Sequence, residues 1–181
     1  MLIEVVQYDP SWITQFLQEQ EKILSVVSSW VVSLDHVGST AIPGLAAKPT
    51  IDMCMGVDNL QLANDYIIPA LEKLKYDYLP YLEEAIPDRR YMQKLDKNDK
   101  HLFHIHIVHK DSQRKQDYLS FKNYLINHPD ALNEYAILKL KLAKEYRHNR
   151  EAYTESKAEF IRQILNRQII DTSTPQQRNC Y

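Results

Sequence analysis

Apolar positions in the first third of the chain follow two periods, and the change of period marks a change of element. Between Asp9 and about residue 29, Ile13, Phe16, Leu17, Ile23, Leu24 and Val27 recur three and four apart, which predicts an amphipathic helix. Asp9 supplies its cap, and Pro10 takes the first helical position, where a missing N–H costs nothing. The run Val31 to Val37 then reads as a strand. From Thr50 to Val57 the period is two. Ile51, Met53, Met55 and Val57 form one face and Thr50, Asp52, Cys54 and Gly56 the other, so one face packs and the other stays open.

The helical period returns from about Leu60 to Lys75, in a segment that Pro69 should kink or divide. Tyr76 to Leu82 and Arg89 to Leu95 read as strands, joined by a polar connection with Glu83, Glu84, Pro87 and Asp88. In His101 to His109 the alternation sets Phe103, Ile105 and Ile107 against Leu102, His104, His106 and Val108, so His104 and His106 share a face. The remainder is helical: about 112–127, 130–148 after His128-Pro129, and 151–169 with Tyr153, Phe160, Ile161, Ile164 and Leu165 inward. This order predicts an α+β fold, a mixed sheet with helices on one face and a C-terminal helical extension. One domain is expected over residues 1–170, with the sheet core in about 1–110 and the extension in about 111–170. The polar stretch 171–181 reads as a flexible tail.

Composition narrows the function classes. A chain of 181 residues, 44% hydrophobic and 25% charged, is ordinary for a globular protein. No apolar run approaches the ~20 residues needed to cross a bilayer. The start lacks a basic segment followed by an apolar export stretch, which makes the cytoplasm the expected location. Cys54 falls in an apolar run and Cys180 in the tail, a spacing that suggests neither a disulfide nor a zinc site. A net charge of −2 provides no field for a nucleic acid, so a small nucleotide or phosphorylated metabolite is the better partner. The basic cluster Lys94, Lys97, Lys100, Lys110, Arg114 and Lys115 reads as a solvated face.

Candidate chemistry centres on residues 36–52, which hold two of the three glycines. Gly38 and Gly44 can adopt positive φ, while Ser39, Thr40 and nearby amides offer donors suited to phosphate oxygens. The same residues also suit a plain turn. Asp52 is a carboxylate on a strand otherwise built for burial, and it needs a metal, a cation or water for compensation. His104 and His106 could share a metal with Asp52, with His36 a fourth candidate; such a set suits zinc, iron or manganese, whereas magnesium prefers oxygen. Hydrogen-bonded structure is the other reading of the two histidines. Lys48, Arg90 and Lys94 are candidate phosphate partners, with surface ion pairing as the alternative. Neither a P-loop nor a dinucleotide-binding glycine motif occurs.

The motif His36-x-Gly38-Ser39-Thr40-Ala41-x-Pro43-Gly44-Leu45-x-Ala47-Lys48-Pro49-x-Ile51-Asp52 resembles the signature of the GrpB family, itself similar to nucleotidyltransferases of the DNA polymerase beta type. The resemblance extends to Tyr8-Asp9-Pro10-x-Trp12, Arg89-Arg90-Tyr91, His104-Ile105-His106-Ile107-Val108, Phe121-Lys122-Asn123-Tyr124-Leu125 and Tyr153-x-x-x-Lys157-x-x-Phe160-Ile161. It implies a nucleotidyltransferase-like sheet in which Gly38 and Ser39 position phosphates. Asp52 would hold a divalent metal, magnesium or manganese, or zinc if the histidines are ligands. Tyr153 and Lys157, one helical turn apart, would reach a triphosphate, with plain helix packing as the alternative reading. The implied reaction is in-line transfer of a nucleotidyl group to an unknown acceptor, with Asp52 catalytic. Cys54 stands where that superfamily usually carries a second acid, and Asn123 where an acid is expected. Two alternatives therefore stand beside transfer: a non-catalytic nucleotide- or phosphometabolite-binding module, and a His/Asp metal-dependent hydrolase.

Overall fold

Five strands form one mixed sheet in the computed structural model, which describes residues 3–173. They are β1 (Ser33–Val37), β2 (Ile51–Val57), β3 (Asp77–Tyr78), β4 (Arg89–Leu95) and β5 (His101–His109), in the spatial order β1-β2-β5-β4-β3. β2 and β5 run parallel, and the other neighbours are antiparallel. The parallel pair requires a crossover, and the chain between β2 and β5 supplies it with helices and two further strands.

One face of the sheet carries the main core. α1 (Ser11–Val27) and α3 (Ile68–Lys73) cover it, with Trp12, Phe16, Ile23 and Leu71 packed against Ile51, Met53, Met55, Met92, Ile105 and Ile107. Asp9 caps α1 by accepting from the Ser11 amide at 2.8 Å. The buried stripe of α1 differs from the expected one. Ile13 and Leu17 are exposed, while Trp12 and Glu19 are buried. Glu19 is held by Lys94 Nζ at 2.7 Å and by the Tyr76 hydroxyl, which donates at 3.1 Å. Burial opposes its charge, but these partners outweigh it and hold the carboxyl below its ordinary range.

Helices are not confined to that face. α4 (Gln113–Asn127) lays Tyr118 and Leu119 over Val37, Cys54 and Val108 on the opposite side. Part of the face expected to be open is therefore closed, Cys54 with it. α4, α5 (Pro129–Glu145) and α7 (Ala158–Ser173) build a second core from Phe121, Leu125, Tyr135 and Ile164, into which the loop residues Ile42 and Leu45 insert. The glycine loop is thus gripped by the helical extension.

Three expected elements change. The segment after β2 consists of α2 (Leu60–Leu62), a π turn (Ala63–Ile67) and α3, because Pro69 cannot donate and the ladder shifts to an Ile68 N–H to Ala63 carbonyl bond. β3 stops at Tyr78, since Pro80 opens a 3₁₀ turn over Pro80–Glu83. The last expected helix divides into α6 (Arg150–Glu155) and α7, with Lys157 at the break. Asp171 lies within α7 rather than in a tail, and 174–181, including Cys180, lie outside the described residues. Along the edge strand β1, the Leu34 carbonyl accepts from Gln20 Nε2 at 2.7 Å and the His36 carbonyl from Lys122 Nζ at 3.0 Å.

Candidate functional site

Register assembles the site. Val37, Asp52, His104 and Gln93 lie side by side across β1, β2, β5 and β4, and Asp35, Cys54, His106 and Tyr91 form the next row on the same face. Where α4 leaves that face uncovered, a cleft of about 790 Å³ opens. Its floor is Asp52, His104, His106, Tyr91 and Gln93. Ser39, Thr40 and Lys48 of the glycine loop line it, as do Lys139 of α5 and Tyr153 and Lys157 around the α6–α7 break.

Asp52 is tied to two neighbours. His104 Nδ1 stands 2.8 Å from its Oδ1, and since a carboxylate only accepts, the ring donates. His104 Nε2 is in turn 2.9 Å from His101 Nδ1. Burial pushes the Asp52 pKa up, but the His104 bond and the nearby His104, His106 and Lys48 overcome it and bring it to about 2. Gly38, at φ +70°, passes directly beside this carboxylate, so its lack of a side chain serves the contact with Asp52. Gly44, at φ +80°, shapes a turn with open space around it.

His106 is neutral. Burial, together with Arg89, His104 and Arg114, lowers its pKa to about 3 against the pull of Asp52. Its Nδ1 lies 3.3 Å from Arg89 Nη1, which can only donate, so the ring proton belongs on Nε2. Tyr118 Oη approaches the same Nδ1 at 3.3 Å.

Two expected site residues act as a strut instead. The His36 ring stacks on Phe16 at 4.8 Å, on the packed face of the sheet, and its Nε2 meets Thr40 Oγ1 at 3.0 Å. Thr40, buried, donates its hydroxyl hydrogen bond to the Thr50 carbonyl at 3.3 Å. Its hydroxyl is consumed in fastening the loop between β1 and β2. Arg90 also faces away from the cleft, bonded to Asn64 Oδ1 at 2.8 Å and paired with Glu83 at 3.0 Å. Lys94 shares that face in its ion pair with Glu19. The structure brings Asp52, His104, His106, Ser39, Lys48 and Lys157 together, and leaves His36, Arg90 and Lys94 outside.

The donor set does not fit a protein-held metal. Both His104 nitrogens are engaged, the His106 Nδ1 lone pair faces Arg89, and His36 is on the other side of the sheet. Among the described residues, no three His, Cys, Asp or Glu side chains are grouped to hold an ion. Asp52 keeps one carboxylate oxygen outside the His104 bond, too small a set for zinc by itself and sufficient for magnesium only where waters and ligand phosphates complete the shell.

The family described as GrpB protein matches residues 2–167 of the sequence. The chain belongs to the GrpB family. It is 32% identical over 161 residues to UPF0157 protein YqkA of Bacillus subtilis strain 168, covering 88% of this chain and 45% of that protein. To UPF0157 protein PA4798 of Pseudomonas aeruginosa it is 35% identical over 179 residues, covering 96% and 70%. The chain thus spans under half of YqkA. The crystal structure of the conserved protein GrpB from Enterococcus faecalis superposes with a TM-score of 0.80 at 29% identity, over 93% of this chain and 99% of that one. The mixed α+β fold is therefore a GrpB fold. Among the described residues, no helix is long and apolar enough to cross a membrane.

In this GrpB chain, the feature that sequence reading missed is Lys139. It is 1% exposed, and its Nζ has no hydrogen-bond partner, although it lies 5.1 Å from the Tyr135 ring centre. Burial and the neighbouring Lys157 lower its pKa to about 7 against the pull of Asp52. Lys48 and Lys157 stand 5.7 Å and 4.2 Å from the centre of the Tyr153 ring. Three lysines therefore converge where the loop meets the helical extension. The available signal was position: Ala131, Tyr135, Lys139 and Leu142 share one helical stripe, and three of its four members are ordinary core residues.

Proposed function

We propose that the cleft binds the phosphate end of a small molecule, a nucleotide or a phosphorylated metabolite. One observation carries this reading: a lysine buried without an acceptor at the base of an open cleft, beside two further lysines. An unpaired buried ammonium costs several kcal/mol, and an anionic ligand supplies the missing partner. Phosphate oxygens would accept from Lys139 Nζ, with Lys48, Lys157 and the hydroxyl of Ser39 around them. Calorimetric titration with adenosine triphosphate and with inorganic tripolyphosphate, with and without magnesium, tests it. Binding that falls at least about tenfold in Lys139→Met supports the reading; equal affinity in the variant overturns it.

Asp52 favours a second reading, nucleotidyl transfer. Its carboxylate faces the same cleft as the lysines and is ionised near neutrality. There it would orient an acceptor hydroxyl by accepting its hydrogen bond, while the lysines balance charge on the phosphates. With a pKa near 2 it is a weak base, so orientation is the larger part of its role. Release of pyrophosphate from a nucleoside triphosphate, abolished by Asp52→Asn with phosphate binding retained, would establish transfer. Binding without release in the parent would leave the binding module.

A further inference from the structure

The connection from Leu79 to Asp88 is rich in acids and prolines, yet its apolar side chains are not spent on a core. Leu79, Tyr81, Leu82 and Ile86 all line the cleft, and none of them joins the hydrophobic clusters that stabilise the fold. The connection is held from the other side. Glu83 takes the Tyr78 hydroxyl and pairs with Arg90, and the Leu79 amide donates to the Tyr91 carbonyl at 3.1 Å. These ties fix a wall whose apolar surface faces the cleft, with Tyr81 65% exposed.

We infer that this wall receives a planar ring, so that the ligand of the cleft is a nucleotide rather than a simple phosphorylated metabolite. The inference rests on the anion reading above and adds the second half of the ligand. Strand order sets the spacing. The lysines gather on the β2 side and the wall hangs from the β3–β4 connection, so β2, β5 and β4 form the floor between them. Two strand spacings amount to about 10 Å. A nucleoside with its phosphate chain bridges that floor, and an isolated phosphate does not. Aromatic and branched apolar surface offers a ring stacking and dehydration while reading little of its hydrogen-bonding edge. The four common bases should therefore be accepted with similar affinity.

The test compares the four nucleoside triphosphates with inorganic tripolyphosphate, against the parent protein and against a Tyr81→Ala/Leu82→Ser variant. The parent should bind the nucleotides about tenfold tighter than tripolyphosphate, the scale of one ring stacked on an aromatic side chain. In the variant that advantage should vanish while tripolyphosphate affinity stays within about twofold. If tripolyphosphate binds the parent as tightly as every nucleotide, or the variant weakens both kinds of probe alike, the ring site is overturned and the anion site stands. If no probe binds the parent, both readings fall.

Discussion

Gly38 and Asp52 touch so closely that no side chain fits between them: a Cβ at position 38 would stand 2.6 Å from Asp52 Oδ2. Gly38 also has φ +70°, a region that L side chains rarely adopt. Gly38→Ala therefore combines backbone strain with a collision, and should destabilise the fold by at least about 2 kcal/mol. In a denaturation cycle with Asp52→Ala, the double variant should recover part of that loss, because the carboxylate is the nearest obstacle. Strictly additive losses would show that the contact has no energetic weight.

Lys139 should reveal itself through stability. Lys139→Met removes an unpaired buried amine and keeps an unbranched side chain in its place, so the variant should be more stable than the parent by about 1–3 kcal/mol at pH 7. The sign with pH follows from linkage. The folded pKa, about 7, lies below the ordinary lysine value, so between the two the unfolded chain binds more protons. Parent stability should therefore rise relative to Lys139→Met as pH climbs above 7, and the gap should be widest at and below pH 7. Urea midpoints measured from pH 6 to 9 check this, and a gap that widens with pH would contradict the placement of Lys139.

The fold was more legible in the sequence than the site, and the reason lies in particular residues. Arg89–Leu95 and His101–His109 match their expected spans because strict alternation on a half-buried sheet leaves little freedom. The same rule misled at Cys54: alternation assigns a face correctly but cannot say what covers it, and α4 arrives from sixty residues away. Arg90 and Arg89 are adjacent in the chain, yet only Arg89 reaches the cleft, since neighbouring strand residues point oppositely. In α5, Ile137 and Leu140 are exposed while Lys139 is buried, so stripe position rather than residue type decides burial there.

Cys54→Asp is the substitution that would supply the second acid implied by the resemblance to polymerase beta-type nucleotidyltransferases, and the structure argues against its success. Position 54 is sealed beneath Tyr118 and Leu119, and the site already resists charge: burial and Asp35 push the Cys54 thiol up to about 12. An added carboxylate there lacks a route to the cleft and should cost about 3–5 kcal/mol at neutral pH. Loss of cooperative folding or a large fall in urea midpoint is expected, with no gain of transfer. A stable variant with new transfer activity would show that α4 yields at this point.

The side chains laid along β1 bear on how copies of the protein meet one another. Gln20 and Lys122 occupy the two outward carbonyls of that strand, and β3, at the far edge, is only the pair Asp77–Tyr78. A second chain seeking to lengthen the sheet would have to strip two hydrogen bonds at one margin and would find almost no template at the other. Both margins are thus poor templates for strand-to-strand pairing, so growth of the sheet by an added chain is opposed on either side of the cleft.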